Sequence, residues 1–440
     1  MQKIFNPRLI PALMAIAFAG SASAAGFQLL EQNASGLGNA YAGSAAVADN
    51  ASTIYFNPAG MTQLQDREVS MGGTLVKTSF DFKDNGSSVG TLAGSGNGND
   101  GGTLGFIPNA YMSWALSKDV YIGLGMGAPF GMKTEYDDDW VGAAHSISFE
   151  IKTINLNPSI AWRANEWLSL GFGLNWQRVE AEYVRKVATG VVGVPPFNAF
   201  PASTVKLTLD DDSWGWNAGA LFKLAPQTKL GVSYRSSVKY DTKGKTETSG
   251  PSSALNTAGS VDAKAEIKMP DTFIVSLAHG LNDRVELLGD VSWTGWSSIP
   301  KVDIVRASGA ASGTIAQVLE TDFRDTWRVA VGTNYKIDET LKLKFGLAYD
   351  QTPVKDAEHR LTSMPDNNRT WFSAGAQWKL NKTTAIDVGA AYLYLKDAEI
   401  NNNQSQTAMT VAAQSTNRGT VKGTYDDSAW ILGAQFSMAF

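Results

Sequence analysis

The sequence of 440 residues contains no cysteine and only three histidines. Without cysteine the chain can form no disulfide bond and can carry out no thiol chemistry. It also lacks an excess of basic residues. Once the two basic residues of the leader described below are removed, 35 basic side chains stand against 42 acidic ones. This mildly acidic balance argues against a nucleic-acid partner.

Long apolar runs are missing as well, apart from a short one at the start of the chain. Residues 1–24 have the form of a secretory signal peptide: a basic start, an apolar core over 9–19, and a small-residue cleavage site at 22–24. The apolar core is shorter than the roughly 20 residues that a spanning helix needs. We therefore expect an exported mature chain that begins at Ala25 and crosses no membrane as a helix.

Residues 25–66 look like neither a strand nor a long helix. Gly, Ala, Ser and Asn dominate this segment, its large apolar residues follow no period of two, and Asn57-Pro58 is a turn or helix-start signal. Small residues let a backbone pack closely against an enclosing wall. We therefore predict an N-terminal hatch, or plug. The composition leaves a disordered N-terminal arm as the alternative.

From residue 67 onward the sequence alternates between apolar and small or polar residues, which is typical of strands. Glycine makes up 43 of the 440 residues and aromatic residues 10%, a mixture that suits strands with tight turns. We count fourteen candidate strands, an even number. They lie near 67–82, 103–116, 119–136, 146–164, 167–187, 204–224, 229–247, 260–281, 284–306, 314–337, 340–354, 368–380, 384–400 and 423–440.

The two faces of these strands favour a membrane barrel over a soluble sandwich. In one strand Leu170, Phe172 and Leu174 alternate with small or polar residues, and in another Trp327 and Tyr335 bracket the apolar stripe. Aromatic residues at stripe ends match the girdles at membrane interfaces. A closed barrel also leaves no unpaired strand edge in lipid. The sequence therefore predicts an all-β fold, a 14-stranded antiparallel transmembrane β-barrel over 67–440 with the hatch inside its lumen.

Three motifs near the mature N-terminus carry a resemblance to a known family. They are AGFQL at 25–29, SGLGNAYAG at 35–43 and NPA at 57–59. Together they resemble the FadL family of outer-membrane transporters. The resemblance implies passive outer-membrane transport of long-chain fatty acids or similar hydrophobic molecules through a plugged barrel with a lateral exit. An uptake channel for aromatic or aliphatic hydrocarbons is the alternative, and a general porin or adhesin is a further one.

A fatty-acid site needs an apolar wall and a cation for the carboxylate. Alternation places Arg185 and Arg324 on the lumen face, and the resemblance implies ligand contact at both. We expect the apolar tail to lie against Phe27 and Leu29. The alternative is that the two arginines pair with acidic residues of the hatch or wall. Those acids include Glu31, Asp49 and Asp325.

Two further sites are predicted on the transport route. We expect Asn57, Pro58 and Ala59 to anchor the hatch to the wall and act as its gate. The third strand carries several glycines and one proline, where strand pairing should fail. The resemblance makes this a lateral opening, and an ordinary bulge is the alternative. The residues concerned are Gly125, Gly127, Pro129 and Gly131.

An enzyme is the competing class of function, and the sequence disfavours it. Hydrolysis would use a serine with one of the three histidines, yet Ser276 and His279 are three residues apart and so face opposite sides of a strand. No metal-ligand spacing occurs. We expect no cofactor and no metal. The expected partners are a hydrophobic small molecule, outer-membrane lipids and the barrel-assembly machinery, and we expect a monomer.

Overall fold

The structure is a computed structural model that describes residues 26–92, 94–188, 202–251, 253–408, 414 and 416–440. The predicted leader and Ala25 lie outside the described residues, as do parts of four long connections. Among the helices of the described residues, none is long and apolar enough to cross a membrane.

Fourteen antiparallel strands form the sheet, and six of them are interrupted once. Their bounds are β1 Arg67–Asp84, β2 Leu104–Ala115, β3 Val120–Gly127 with Gly131–Glu135, β4 Ser148–Arg163, β5 Leu168–Ala188, β6 Ala202–Ala225, β7 Thr228–Arg235 with Val238–Ser249, β8 Asp262–Met269 with Thr272–Gly280, β9 Val285–Thr294 with Lys301–Arg306, β10 Ile315–Glu320 with Thr326–Lys336, β11 Leu341–Asp350, β12 Arg369–Lys379, β13 Thr384–Leu395 with Ala398–Asn403, and β14 Thr420–Ala439.

Each strand pairs with the next along the chain, and the last pairs with the first. The closing ladder runs from Glu68 opposite Ala439 to Asp84 opposite Gly423. Closure leaves neither β1 nor β14 with a free edge, as a membrane barrel requires. The predicted 14-stranded antiparallel barrel is therefore confirmed.

The outer face of the barrel is apolar and the inner face is small or polar. On β5, Leu170, Phe172 and Leu174 are 40%, 44% and 48% exposed, whereas Ser169 and Asn175 are 4% and 1% exposed. This is the reverse of a soluble sandwich, whose apolar side chains point inward. The alternation therefore turns the apolar stripe toward lipid.

The barrel has a short-turn end and a long-loop end. Strands β4 and β5 are joined by residues 164–167, and β6 and β7 by 226–227. Phe440 lies at this short-turn end, where its N–H donates to the carbonyl oxygen of Arg67 over 3.0 Å. The opposite end carries the long connections, such as 85–103 between β1 and β2.

The hatch fills the lumen, as predicted. It contains a short 3₁₀ helix at Leu37–Asn39, a single α-helical turn, α1, at Thr53–Phe56, and a second 3₁₀ helix at Pro58–Gln63. Its apolar side chains form one core with those on the inner face of the barrel wall. The structure thus shows a packed plug and not the alternative disordered arm.

Inward-facing glycines bring the hatch backbone directly onto the wall. A Cβ atom on Gly171 would lie 2.2 Å from the amide nitrogen of Ala59, and one on Gly231 would lie 2.0 Å from the carbonyl oxygen of Ala45. No side chain fits at these two positions while the hatch stays where it is. The wall and the hatch are therefore matched at the level of their backbones.

Candidate functional site

The first described residues of the hatch bond to the broken third strand. The N–H of Leu29 donates to the carbonyl oxygen of Pro129 over 2.7 Å, and the N–H of Gly131 donates to that of Phe27 over 2.8 Å. Gln28 and Phe130 form an isolated antiparallel bridge between these two bonds. Residues 27–30, called here the N-terminal segment, are thus held by main-chain groups that the barrel ladder leaves unused.

Phe27 packs into an aromatic layer across the lumen. Its ring lies edge-on to Trp296, with centroids 4.8 Å apart, and 6.0 Å from the ring of Phe130. Trp296 also packs edge-on against Phe323. Edge-to-face pairs of this kind stabilise a fixed arrangement of rings. The layer therefore separates the long-loop half of the lumen from the space beneath it.

An apolar cavity, called here the outer cavity, lies on the long-loop side of this layer. Its wall comes from β4, β5, β6, β8, β9 and β10, and residues that represent it are Phe27, Ile151, Tyr183, Leu209, Ile304 and Phe323. Of the two predicted apolar contacts, Phe27 lines this cavity. Leu29 is 2% exposed and packs in the core shared by hatch and wall. The cavity offers a long apolar chain a wall with few competing polar groups.

Arg185 is linked to the outer cavity through two side chains. Its Nε donates to Oε1 of Gln317 over 2.7 Å, and Nε2 of Gln317 is 3.3 Å from the hydroxyl of Tyr183, which lines the cavity. The Tyr183 hydroxyl in turn donates to the carbonyl oxygen of His145. Alternation along β5 therefore placed Arg185 on the lumen side correctly. Its contact with ligand stays a prediction.

Two further arginines place positive charge near Arg185. The charges of Arg418 and Arg306 both act on it, and Arg418 is held by Gln404 through a 2.8 Å hydrogen bond. All three guanidinium groups are half-buried, and within the described parts of the chain none forms an ion pair. Burial lowers the pKa of Arg418, which means that its charge is poorly compensated. A bound anion would supply the missing compensation.

His145 adds no positive charge to this group of arginines. Burial, together with the nearby charge of Arg418, lowers the pKa of His145 to about 4. The ring contacts the carbonyl oxygen of Gly419 and the side chain of Gln404. The neutral imidazole therefore serves as a hydrogen-bonding support beneath the arginines.

The structure corrects the placement of Arg324. Strand pairing in β10 stops at Glu320 and resumes at Thr326, so alternation does not continue back through Arg324. Its side chain is exposed and its Nε donates to the carbonyl oxygen of Thr352 over 3.1 Å, whereas its neighbour Phe323 lines the outer cavity. The structure does not bring Arg185 and Arg324 together.

The acids that were considered as alternative partners lie elsewhere. Asp49 forms an ion pair with Lys342 at 3.2 Å, and Asp325 accepts a hydrogen bond from the N–H of Ser297. Glu31 is 1% exposed, and burial raises the pKa of its carboxyl to about 7. Within the described residues, neither arginine forms an ion pair with these three acids.

Asn57 joins three parts of the molecule. Its Nδ2 donates to the carbonyl oxygens of Ala45 in the hatch and Ala220 in β6, over 2.8 and 3.0 Å, and its Oδ1 accepts from the N–H of Ala59. Pro58 follows as the first residue of the 3₁₀ helix, where its fixed φ and missing N–H cost nothing. These contacts are those of an anchor. A gating role for 57–59 stays a prediction.

The third strand is broken where the glycines and proline predicted it. Pairing between β2 and β3 covers Ala110 to Ala115 only, and the part of β3 after the break, Gly131–Glu135, pairs with β4 alone. Residues 104–109 of β2 therefore have no ladder partner in β3. The structure shows a gap in the wall and not an ordinary bulge. Passage of ligand through it stays a prediction. The residues named for it are Gly125, Gly127, Pro129 and Gly131.

The sequence did not reveal the other members of the site. Gln317 and Tyr183 come together across the barrel from β10 and β5, and Arg418 comes from the connection before β14. Alternation assigns such residues to the lumen face but does not say at what height they lie. Only the stagger of the closed sheet brings them close to one another.

The three histidines occupy separate places. His279 contacts the hydroxyl of Thr228 over 2.9 Å, and His359 contacts Asp356 over 2.7 Å. Ser276 donates to the buried carboxylate of Asp290 on the inner face. Each histidine thus has a hydrogen-bonding contact other than a serine hydroxyl.

Comparison with known proteins gives matches over almost the whole chain. The family described as "Outer membrane protein transport protein (OMPP1/FadL/TodX)" matches residues 15–440. Outer membrane protein P1 of Haemophilus influenzae is 32% identical over 437 residues, which cover 92% of this chain and 93% of that protein. The long-chain fatty acid transport protein of Salmonella typhi is 28% identical over 436 residues, which cover 94% of each.

Solved structures agree with the fold. A Pseudomonas aeruginosa FadL homologue matches with a TM-score of 0.82 at 22% identity, and the match covers 94% of this chain and 99% of that one. The Pseudomonas putida toluene transporter TodX matches with a TM-score of 0.68 at 16% identity, covering 95% and 100%. At these identities the two structures show a shared fold alone.

Proposed function

This chain belongs to the OMPP1/FadL/TodX family of outer membrane transport proteins, and on that premise we propose that it transports long-chain fatty acids passively across the bacterial outer membrane. The observation that carries the proposal is the outer cavity, whose apolar wall includes Tyr183, which Gln317 links to Arg185. A fatty acid has the matching chemistry: the tail removes apolar surface from water, and the carboxylate accepts charge-assisted hydrogen bonds.

The proposed route runs from the long loops to the side of the barrel. Ligand enters at the long-loop end, which faces outward, and its tail settles against Phe27 with its head group near Arg185. It leaves when the N-terminal segment shifts and frees the gap between β2 and β3. The main-chain bonds from Leu29 to Pro129 and from Gly131 to Phe27 support this step, because they lie outside the barrel ladder and can break without damage to it.

A hydrocarbon is the second candidate substrate, because the toluene transporter TodX shares the fold. The apolar wall of the outer cavity suits both classes of molecule. The arginines favour the acid, since a hydrocarbon would leave their charges as poorly compensated as they are now. Outer-membrane lipids around the apolar face, assembly by the barrel machinery, a monomeric state and the absence of enzymatic activity complete the proposal.

The experiment compares an acid with an alcohol of the same chain length. In the Arg185→Gln variant, oleate should bind roughly 10- to 150-fold more weakly, because a hydrogen bond to a charged group contributes about 1.5–3 kcal/mol. Oleyl alcohol should bind within about twofold of the wild-type affinity. Equilibrium binding to the purified barrel in detergent measures both.

Arg324→Gln is the matched control, since Arg324 is exposed and its neighbour lines the cavity. It should change neither affinity. Equal losses for acid and alcohol in Arg185→Gln would mean general damage to the site. No loss for either ligand would favour a hydrocarbon as the substrate.

A further inference from the structure

A second space lies on the other side of the aromatic layer, between the hatch and strands β7 to β11. We call it the inner chamber. It is lined by hatch residues and by polar residues of the wall, among them Gln28, Leu30, Thr272, Arg235, Arg328 and Asp350. Two arginines and several hydroxyl groups distinguish it from the outer cavity, whose wall is almost entirely apolar.

Among the residues that line the inner chamber, cations outnumber anions. Arg235 donates to two neutral oxygens, the carbonyl of Tyr55 and Oδ1 of Asn175, and stacks 4.2 Å above the Tyr55 ring. Arg328 is 5% exposed, donates to the carbonyl oxygen of Ala40, and its Nε has no hydrogen-bond partner among the described residues. Asp350, opposite Arg328 in the β10–β11 ladder, supplies the one carboxylate of the lining. The lining thus carries two cations and one anion. The charge of Arg328 also acts on two buried carboxyl groups outside the lining, those of Glu31 and Asp290.

A buried guanidinium N–H without a partner is costly, since it has lost water and gained nothing in exchange. Arg328 is held in this state at the edge of the chamber. Arg235 has no ion-pair partner in the described chain, and its contacts are to neutral groups. A carboxylate entering the chamber would meet a group of donors that is already ordered.

The N-terminal segment is the wall between the two spaces. Phe27 lines the outer cavity, whereas Gln28 and Leu30 line the inner chamber. Gln28 is fixed to β8 and β9, because its amide donates to Thr272 and accepts from Thr294 over 3.1 Å each. Extended backbone turns successive side chains to opposite sides. A shift of these four residues would therefore join the two spaces.

We propose that the inner chamber is a second carboxylate site, which takes the head group of the transported acid after the N-terminal segment has moved. The proposal rests on the proposed function, because it adds a second station to the same route. The acid is held first beside Arg185 and then beside Arg235 and Arg328. A carboxylate bound at this second site stabilises the conformation in which the N-terminal segment has moved. A ligand shifts an equilibrium between two conformations only if it binds one of them more tightly.

The test separates this role from simple support of the hatch. In Arg235→Gln, equilibrium binding of oleate at the outer cavity should stay within about twofold of wild type, because the substitution lies beyond the aromatic layer. Uptake of oleate by cells that carry the variant should fall roughly tenfold, the lower end expected for a lost charged hydrogen bond. Uptake of oleyl alcohol should stay within twofold.

Two variants serve as controls. Arg235→Lys keeps the charge and should recover part of the oleate uptake. Lys342→Gln removes a lumen cation that pairs with the hatch at Asp49 but lines neither space, and it should not distinguish acid from alcohol. Heat-modifiable migration checks that each barrel is folded.

Each outcome decides between the two proposals. Equal losses of oleate and oleyl alcohol uptake in Arg235→Gln would show that Arg235 only supports the hatch, which overturns the inner site. Unchanged uptake of both would overturn it as well. If Arg185→Gln weakens acid binding in either case, the proposed function stands. If Arg185→Gln has no acid-selective effect, the proposed function itself fails.

Discussion

Asn57 is the residue on which the position of the hatch depends most directly. One fully buried amide group bonds the hatch to itself and to β6. No other side chain can replace it without loss, because two donors and one acceptor are used at fixed positions. Its partner oxygens would be left without a hydrogen bond in a space that excludes water.

We expect Asn57→Ala to impair uptake while the barrel still assembles. The loss of the amide should cost the hatch anchor about 1–3 kcal/mol, whereas strand pairing is untouched. Oleate uptake and heat-modifiable migration measure the two effects. Gln65→Ala removes an exposed amide nearby and should change neither. Normal uptake in Asn57→Ala would contradict the anchoring role.

Arg185 and Arg324 show where alternation along a strand predicts the direction of a side chain and where it does not. Arg185 and Asn175 lie in the same unbroken strand and are an even number of positions apart, so their side chains face the same side. Arg324 lies in an interruption, where no period of two exists, so alternation does not give the direction of its side chain. Arg235 and Arg328 gave no signal of their own, because the sequence does not show which lumen residues line one space.

Among the elements, β3 is the one whose irregularity has the clearest use. Its break exposes main-chain groups that the N-terminal segment then occupies. A Cβ atom at Gly127 would lie 2.4 Å from Oε1 of Gln32, whose amide donates to the carbonyl oxygen of Ala128. The small residue therefore leaves space at the border between the gap and the hatch.

A bulky side chain at Gly127 should block passage sideways. We expect Gly127→Phe to reduce oleate uptake at least tenfold, because the ring would fill the gap and displace Gln32, while binding in the outer cavity changes less than twofold. Gly289→Phe is a control, since a Cβ atom there meets nothing within 4 Å. Normal uptake in Gly127→Phe would place the exit elsewhere, or through the hatch toward the short-turn end.

Strand bounds were predicted well, whereas among the interruptions only that of β3 was predicted. The predicted 167–187 and the observed Leu168–Ala188 differ by one residue at each end. Pro270 and Pro300 mark the interruptions of β8 and β9, since proline cannot donate to a ladder. The interruption in β7 has no such residue. It is apparent only from the ladders of the folded barrel, where β7 pairs with β6 and β8 on both sides of it.

The molecule as a whole encloses its first 40 or so mature residues. Ala42 is 3% exposed and Asn97 lies on an exposed loop. A cysteine at Ala42 should therefore react much more slowly with a bulky thiol reagent than one at Asn97. Gly43 is less suitable, because its φ of +77° would strain a cysteine.

Labelling of Ala42→Cys and Asn97→Cys in intact cells gives the comparison, and both should react equally after unfolding. The chain has no native cysteine, so each signal has one source. Equal rates in the folded protein would contradict an enclosed hatch.

The glycines that hold hatch and wall together also limit what can move. At Gly171 and Gly231 backbone rests on backbone, so most of the hatch cannot rise or sink without parting from the wall. The N-terminal segment lacks this restraint, and on the proposed route its movement would open the lumen toward lipid at the side. No continuous column of water would then connect the two faces of the membrane. The membrane would keep its electrical resistance to ions while hydrophobic molecules pass through the same protein.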